Sequence, residues 1–178
     1  MHVVLVGLMG AGKTTAGRRA AKELRRPFVD TDEAFIPRYG RTVAEVVAED
    51  GEQAFRDKEC ETLAELLAVA SPLVIATGGG IVVRAENRER LAGDDVFVVY
   101  LHAKPAFLAS RTSAKPDRYL LAGADPFEVL SDLYETRDPW YREVADARIE
   151  VADLAEWGSR PRAAIAARIA GLVRDLAA

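Results

Sequence analysis

At 178 residues, 49% of them hydrophobic and 29% charged, the chain has the size and make-up of one globular domain that buries roughly 70% of its unfolded surface. Its 24 basic and 28 acidic residues leave a net charge of −4, which excludes wholesale electrostatic binding to nucleic acid. The single cysteine, Cys60, excludes an internal disulfide and suits a reducing compartment, and no apolar run approaches the ~18 residues of a membrane span. The apolar start lacks the positive n-region of a signal peptide. A cytoplasmic protein with neither membrane nor nucleic-acid partners is expected.

The run His2-Val3-Val4-Leu5-Val6 reads as a short buried strand. It leads into Gly7-Leu8-Met9-Gly10-Ala11-Gly12-Lys13-Thr14, which fits the pattern G-x-x-x-x-G-K-[S/T]. Thr15 to Arg25 follows as a helix rich in Ala, Arg, Lys and Leu. Glycines let backbone N–H groups approach a phosphate chain closely, and the helix N-terminus adds partial positive charge. Lys13 would reach the β- and γ-phosphates, and the Thr14 hydroxyl would ligate Mg²⁺. The bland alternative is a glycine-rich turn with a chance lysine. The flanking strand and helix favour a nucleoside triphosphate site.

Pro27-Phe28-Val29-Asp30 reads as a second strand ending in Asp30-Thr31-Asp32, whose two carboxylates point to one side of an extended chain. Ligands of parallel α/β sheets bind beyond the carboxyl ends of the strands, so both carboxylates would lie near the triphosphate. The structural alternative is that Asp32 caps a helix over Glu33 to Tyr39. Thr42-Val43-Ala44-Glu45 has the spacing of a capping box and opens another helix. Gly51 interrupts it, and Glu52 to Ala70 resumes with an apolar stripe of Phe55, Leu63, Leu66, Leu67 and Ala70. Cys60 falls on that stripe as a small core residue. Spacing alone makes Arg56 a solvated arginine.

Leu73-Val74-Ile75-Ala76 reads as the third strand and runs into Thr77-Gly78-Gly79-Gly80, where three glycines suggest close approach of backbone N–H groups to a ligand. Arg84 to Leu91 is a short charged helix, and Val96 to Leu101 is a fourth strand whose unbroken apolar run reads as central. His102, at the strand end, reads as structural. Pro105 to Arg111 is helical, and residues 112–125 lack apolar periodicity, as a lid would. Pro126 to Trp140 resumes helix with Phe127, Val129, Leu130, Leu133 and Tyr134 facing inward. Ala147 to Val151 is an edge strand, and Pro161 to Leu176 closes the chain as an amphipathic helix. The sum is a three-layer, doubly wound α/β fold: a five-stranded parallel sheet, the phosphate-binding loop after strand one, and a mobile lid.

Five pieces in order then resemble the shikimate kinase family, within the P-loop small-molecule and nucleoside monophosphate kinases. They are the loop itself, Asp30-Thr31-Asp32, the run Arg56, Glu59 and Leu63 leading to Gly78-Gly79-Gly80, the segment Arg118-Tyr119-Leu120-Leu121-Ala122-Gly123, and Arg137-x-Pro139-x-Tyr141. The resemblance implies a single kinase domain over residues 1–178, with a substrate-binding helical segment at about 32–61 and a lid at about 112–125. It implies transfer of the γ-phosphoryl group of ATP to the 3-hydroxyl of shikimate, with Mg²⁺ as cofactor. A related kinase for another polyol acid or cyclitol, such as gluconate, is the alternative. Gly10, Ala11, Gly12, Lys13, Thr14 and Thr15 would hold the phosphates, and Arg111 would stack on the adenine. Asp30 would hold Mg²⁺ through water beside Thr14. Asp32 would orient or deprotonate the attacking hydroxyl. Arg56 and Arg137 would grip the shikimate carboxylate, and backbone groups of Gly78, Gly79 and Gly80 would meet substrate oxygens. Arg118 would neutralise charge on the transferring group as the lid excludes water. The lid arginine is followed by Tyr119 where the family has proline, and Trp140 stands where leucine is common. A monomer is expected.

Overall fold

The structure, a computed structural model, describes residues 1–112, 125–155 and 161–176. Five strands, β1 (His2–Val6), β2 (Phe28–Asp30), β3 (Val74–Ala76), β4 (Val96–His102) and β5 (Ala147–Glu150), form one sheet in the order β2-β3-β1-β4-β5. Every neighbouring pair is parallel. Parallel strands covered on both faces need apolar side chains on both faces, which is why β1 reads as Val-Val-Leu-Val with all four residues fully buried. β1, not β4, is the middle strand, while β4 is interior and β5 is the expected edge.

The connecting helices are α1 (Lys13–Leu24), α2 (Thr31–Tyr39), α3 (Val43–Leu67), α4 (Ala85–Leu91), α5 (Pro105–Thr112), α6 (Pro126–Val144), α7 (Val151–Ala155) and α8 (Pro161–Asp175). Right-handed crossovers place α1 on one face, packed on α8, and carry α4 and α6 over the other, where both meet β4. The chain leaving β1 and the chain leaving β3 therefore part to opposite faces. A crevice opens between their carboxyl ends, where a ligand site of such sheets belongs. None of the helices among the described residues is long and apolar enough to cross a membrane.

Helices α2 and α3 carry a small core of their own, built from Phe35, Val46 and Phe55. The Phe35 and Phe55 rings meet edge-on at 5.6 Å. The capping box at Thr42 forms as expected: the Glu45 N–H donates to Thr42 Oγ1 at 3.2 Å, and the Thr42 N–H donates to Glu45 Oε2 at 2.7 Å. Gly51, at φ 89° and ψ 164°, breaks the α3 rod into two segments.

Three expectations are corrected, and the alternative in which Asp32 caps α2 is not the one formed. The N-cap of α2 is Asp30, not Asp32, because the chain turns helical at Thr31 and leaves the Asp30 carboxylate facing the free N–H groups. Helix α3 ends at Leu67, so Ala70 lies outside it and is exposed. Phe127 sits in the first turn of α6 and is 50% exposed, off the inward face that Leu130 continues. Helix α6 also runs on through Pro139 to Val144. Trp140 is half-buried on α6, with its ring 5.0 Å from the Arg88 guanidinium.

Candidate active site

The turn after β1 takes its shape from glycine. Gly7, Gly10 and Gly12 have φ of 138°, 86° and 94°, values that a side chain disfavours. A Cβ on Gly7 would also lie 2.6 Å from the Leu101 carbonyl oxygen. Ala11 is buried beneath the turn, and Thr15 lies half-buried in the first turn of α1. Lys13 folds back over this loop, its Nζ donating to the carbonyls of Gly7 at 2.7 Å and Leu8 at 3.1 Å. The Thr14 hydroxyl donates to Asp30 Oδ2 at 2.7 Å, joining α1 to the end of β2.

Asp30 accepts three hydrogen bonds at once. Its Oδ1 accepts the N–H groups of Asp32 at 3.0 Å and Glu33 at 3.3 Å, while Oδ2 meets Thr14. Thr14 Oγ1 and Asp30 Oδ2 are hard oxygen donors side by side, a set that fits Mg²⁺ keeping most of its waters. Among the described residues no cluster of three His, Cys, Asp or Glu side chains could cage a metal. The pair therefore suits an ion shared with a phosphate chain.

Beside this lies the second glycine turn. An ideal Cβ on Gly79 would come within 3.5 Å of Met9 N and 3.6 Å of the Gly7 carbonyl oxygen, so the two turns touch. A Cβ on Gly78 would come 2.9 Å from Asp32 Oδ1 and 3.1 Å from Glu59 Oε1. One on Gly80 would come 2.6 Å from Arg56 Cζ. The missing side chains make room for the charged groups. The Gly78 N–H is already committed, donating to Thr31 Oγ1 at 3.0 Å, so this glycine contributes space rather than a free donor.

Arg56 is 4% exposed, against its solvated reading from spacing. Its Nη1 donates to Glu59 Oε2 at 2.8 Å, its Nη2 to Glu52 Oε1 at 3.0 Å, and its guanidinium lies 4.9 Å from the Phe55 ring centre. Helical spacing of three and four residues supplies both carboxylates. Arg137, also buried, reaches across from α6 to donate to the Gly79 carbonyl oxygen at 3.0 Å, and the Tyr141 hydroxyl donates to the same oxygen. Burial pushes the Glu59 carboxyl above its ordinary range, with Asp32 adding, against the pull of Arg56 and Arg137. Asp32 lines the open side of the cleft and still reaches solvent there. Partial dehydration by the surrounding protein raises its pKa, the neighbouring Asp30 adds to the rise, and Lys13 and Arg56 oppose it.

The structure thus brings Gly10, Ala11, Gly12, Lys13, Thr14, Thr15, Asp30, Asp32, Arg56, Gly78, Gly79, Gly80 and Arg137 around one crevice. Arg111 stands half-exposed at the end of α5, its guanidinium 5.1 Å from the Phe107 ring. Arg118 and Tyr119 lie outside the described residues. Glu59, Thr31 and Tyr141 received no role from the residues alone. Glu59 falls three positions after Arg56 on one helix, a spacing that could have marked it as that arginine's partner. Cys60 is half-buried, with its thiol pushed up by burial. It is a packing residue.

A positive turn for phosphates, a pair of guanidiniums and a carboxylate of raised pKa between them suit phosphoryl transfer to a hydroxyl of a small acid. Residues 9–171 match a family model described as shikimate kinase. The chain is 50% identical over 150 residues to a shikimate kinase of Pseudomonas syringae pv. syringae, covering 84% of this chain and 86% of that one. It is 44% identical over 157 residues to a shikimate kinase of Dechloromonas aromatica, covering 88% of this chain and 85% of that one. Its fold superposes with a TM-score of 0.88 on shikimate kinase from Acinetobacter baumannii in complex with shikimate, at 38% identity over 98% of this chain and 93% of that one.

Proposed function

The chain belongs to the shikimate kinase family and is an ATP-dependent phosphotransferase with an alcohol acceptor; from that premise we propose how its residues divide the reaction. ATP lays its phosphates along Gly10, Ala11, Gly12, Lys13, Thr14 and Thr15, and Lys13 turns from the Gly7 and Leu8 carbonyls towards the β- and γ-phosphates. Thr14 and Asp30 would hold Mg²⁺ through oxygen and water, and the ion would offset charge on the phosphate oxygens. Arg111 stacks on the adenine.

Shikimate lies on the second glycine turn. Arg56 and Arg137 fork its carboxylate, the backbone N–H groups around Gly79 and Gly80 donate to its oxygens, and Gly78 gives space to Asp32 and Glu59 beside it. Asp32 accepts the hydrogen bond of the 3-hydroxyl and takes its proton as the new oxygen–phosphorus bond forms. The bond from the γ-phosphorus to its bridging oxygen breaks, and ADP leaves. Arg118 neutralises the transferring group from a lid at about 112–125. The helical segment at about 32–61 binds the acid from the other side. The enzyme works as a cytoplasmic monomer, its single cysteine suiting a reducing compartment.

The observation that carries this reading is the contact of the two glycine turns, which puts a phosphate cradle within reach of a carboxylate cradle. The test is ADP release with Mg-ATP against shikimate, quinate, gluconate, AMP and no acceptor. Release that depends on shikimate alone is expected. Release with gluconate instead would keep the mechanism but move the substrate, pointing to the pocket around Arg56, Arg137 and Tyr119.

A further inference from the structure

Helix α6 is fastened to β4 by a polar network that takes no part in the roles above. The Tyr100 hydroxyl donates to Asp138 Oδ1 at 2.8 Å, and Arg142 Nε donates to Asp138 Oδ2 at 2.6 Å. One turn earlier, the Tyr134 hydroxyl lies 2.8 Å from His102 Nε2, and His102 Nδ1 lies 2.5 Å from Glu150 Oε2 on β5. Tyr100 and His102 are 1% and 3% exposed. Burial and the Asp138 carboxylate push the Tyr100 hydroxyl well above its ordinary range, so it remains a donor at every working pH.

The helical repeat gives this network its consequence. At 3.6 residues per turn, Tyr134, Arg137, Asp138 and Tyr141 share one face about 100° wide. Two of them bond β4, and the other two converge on the Gly79 carbonyl oxygen. The Tyr100 ring also packs on the Tyr141 ring, with centroids 5.0 Å apart. The bonds that fix the roll of α6 thus fix where Arg137 reaches. A roll of about 10° would sweep the tip of an arginine ~9 Å from the axis through ~1.5 Å, enough to spoil a hydrogen bond.

We propose that Tyr100, acting through Asp138, is a positioning residue for Arg137, holding its guanidinium at the distance that the substrate carboxylate requires. The proposal rests on the reading of Arg137 as a carboxylate ligand.

Tyr100→Phe keeps the ring and its packing but removes the donor. It is expected to raise the KM for shikimate about five- to tenfold, while kcat and the KM for ATP stay within about twofold. Asp138→Asn, which still accepts from Tyr100, should leave the shikimate KM within about twofold of the parent. Asp138→Ala should match Tyr100→Phe, and the double variant should be no worse than either alone. A lowered Tm with an unchanged shikimate KM, or an ATP KM rising in step, would make Tyr100 a structural pin and overturn the proposal. Arg137→Ala, measured alongside, separates the two claims. If it leaves the shikimate KM unchanged, the reading of Arg137 fails; if it raises KM and Tyr100→Phe does not, only the positioning role fails.

Discussion

Asp32 must be ionised to take a proton, yet the protein around it favours its neutral form. A base with a raised pKa is better matched to an alcohol than an ordinary aspartate is, so this conflict serves catalysis. Asp32→Asn is expected to lower kcat by about 10²- to 10⁴-fold with little change in the KM for ATP; a steady-state comparison that found near-normal turnover would remove it from this role. Because the carboxylate form is the active one, the rate should fall as pH drops through the raised pKa of Asp32. The acid limb of kcat should therefore lie above the ordinary aspartate value of about 3.9. At Gly80 the argument is steric. The Arg56 guanidinium fills the Cβ position and is held there by Glu59 and Glu52. Gly80→Ala should then raise the shikimate KM by about tenfold or more, and an unchanged value would mean that Arg56 shifts freely.

Among the elements, the α2–α3 pair stands partly on its own small core and is shaped by features local to it. Gly51 adopts φ 89° and ψ 164°, while a Cβ there would meet nothing within 4 Å. The cost of Gly51→Ala is thus purely conformational, about 1–3 kcal/mol. Thermal melts should register it as a fall of ~2–4 °C for each kcal/mol, and an unchanged Tm would show that the kink relaxes. This break was legible in the sequence because glycine interrupts a helical pattern. The burial of Arg56 was not, because its cause lies 24 residues later at Gly80 and across the fold at β3. Only resemblance to a family placed that arginine in the site. Which aspartate caps α2 was not legible for a related reason: Asp30 and Asp32 are the same residue type, and the turn geometry alone decides which faces the helix.

For the molecule as a whole, the parallel sheet was readable because strands buried on both faces must be apolar throughout, as β1 and β4 are. Which strand lies in the middle was not readable, since that depends on crossovers and not on composition. Global stability carries a pH signature at the opposite end of the sheet from the site. His2 is buried, and its Nδ1 accepts the Leu73 N–H at 3.2 Å, a bond only the unprotonated nitrogen can accept. Burial, then the N-terminal ammonium, lowers its pKa below 6.5. The unfolded chain therefore takes the proton more readily. The stabilisation is fully present above pH 6.5 and is lost as pH falls from there through the folded value. Melts between about pH 8 and pH 5 should show a smaller decline for His2→Asn, whose side-chain oxygen still accepts; parallel declines would assign the loss to other groups.

The turn of three glycines has a consequence for how this chain can evolve. Every single substitution at Gly78 or Gly80 adds an atom where Asp32, Glu59 or Arg56 already sits. In a library of all single variants, these positions would accept a side chain only where the charged group it meets moves aside. Any drift towards a new acceptor that passes through this turn must then move a charged side chain as well. The floor of the cleft and the charges that line it change together.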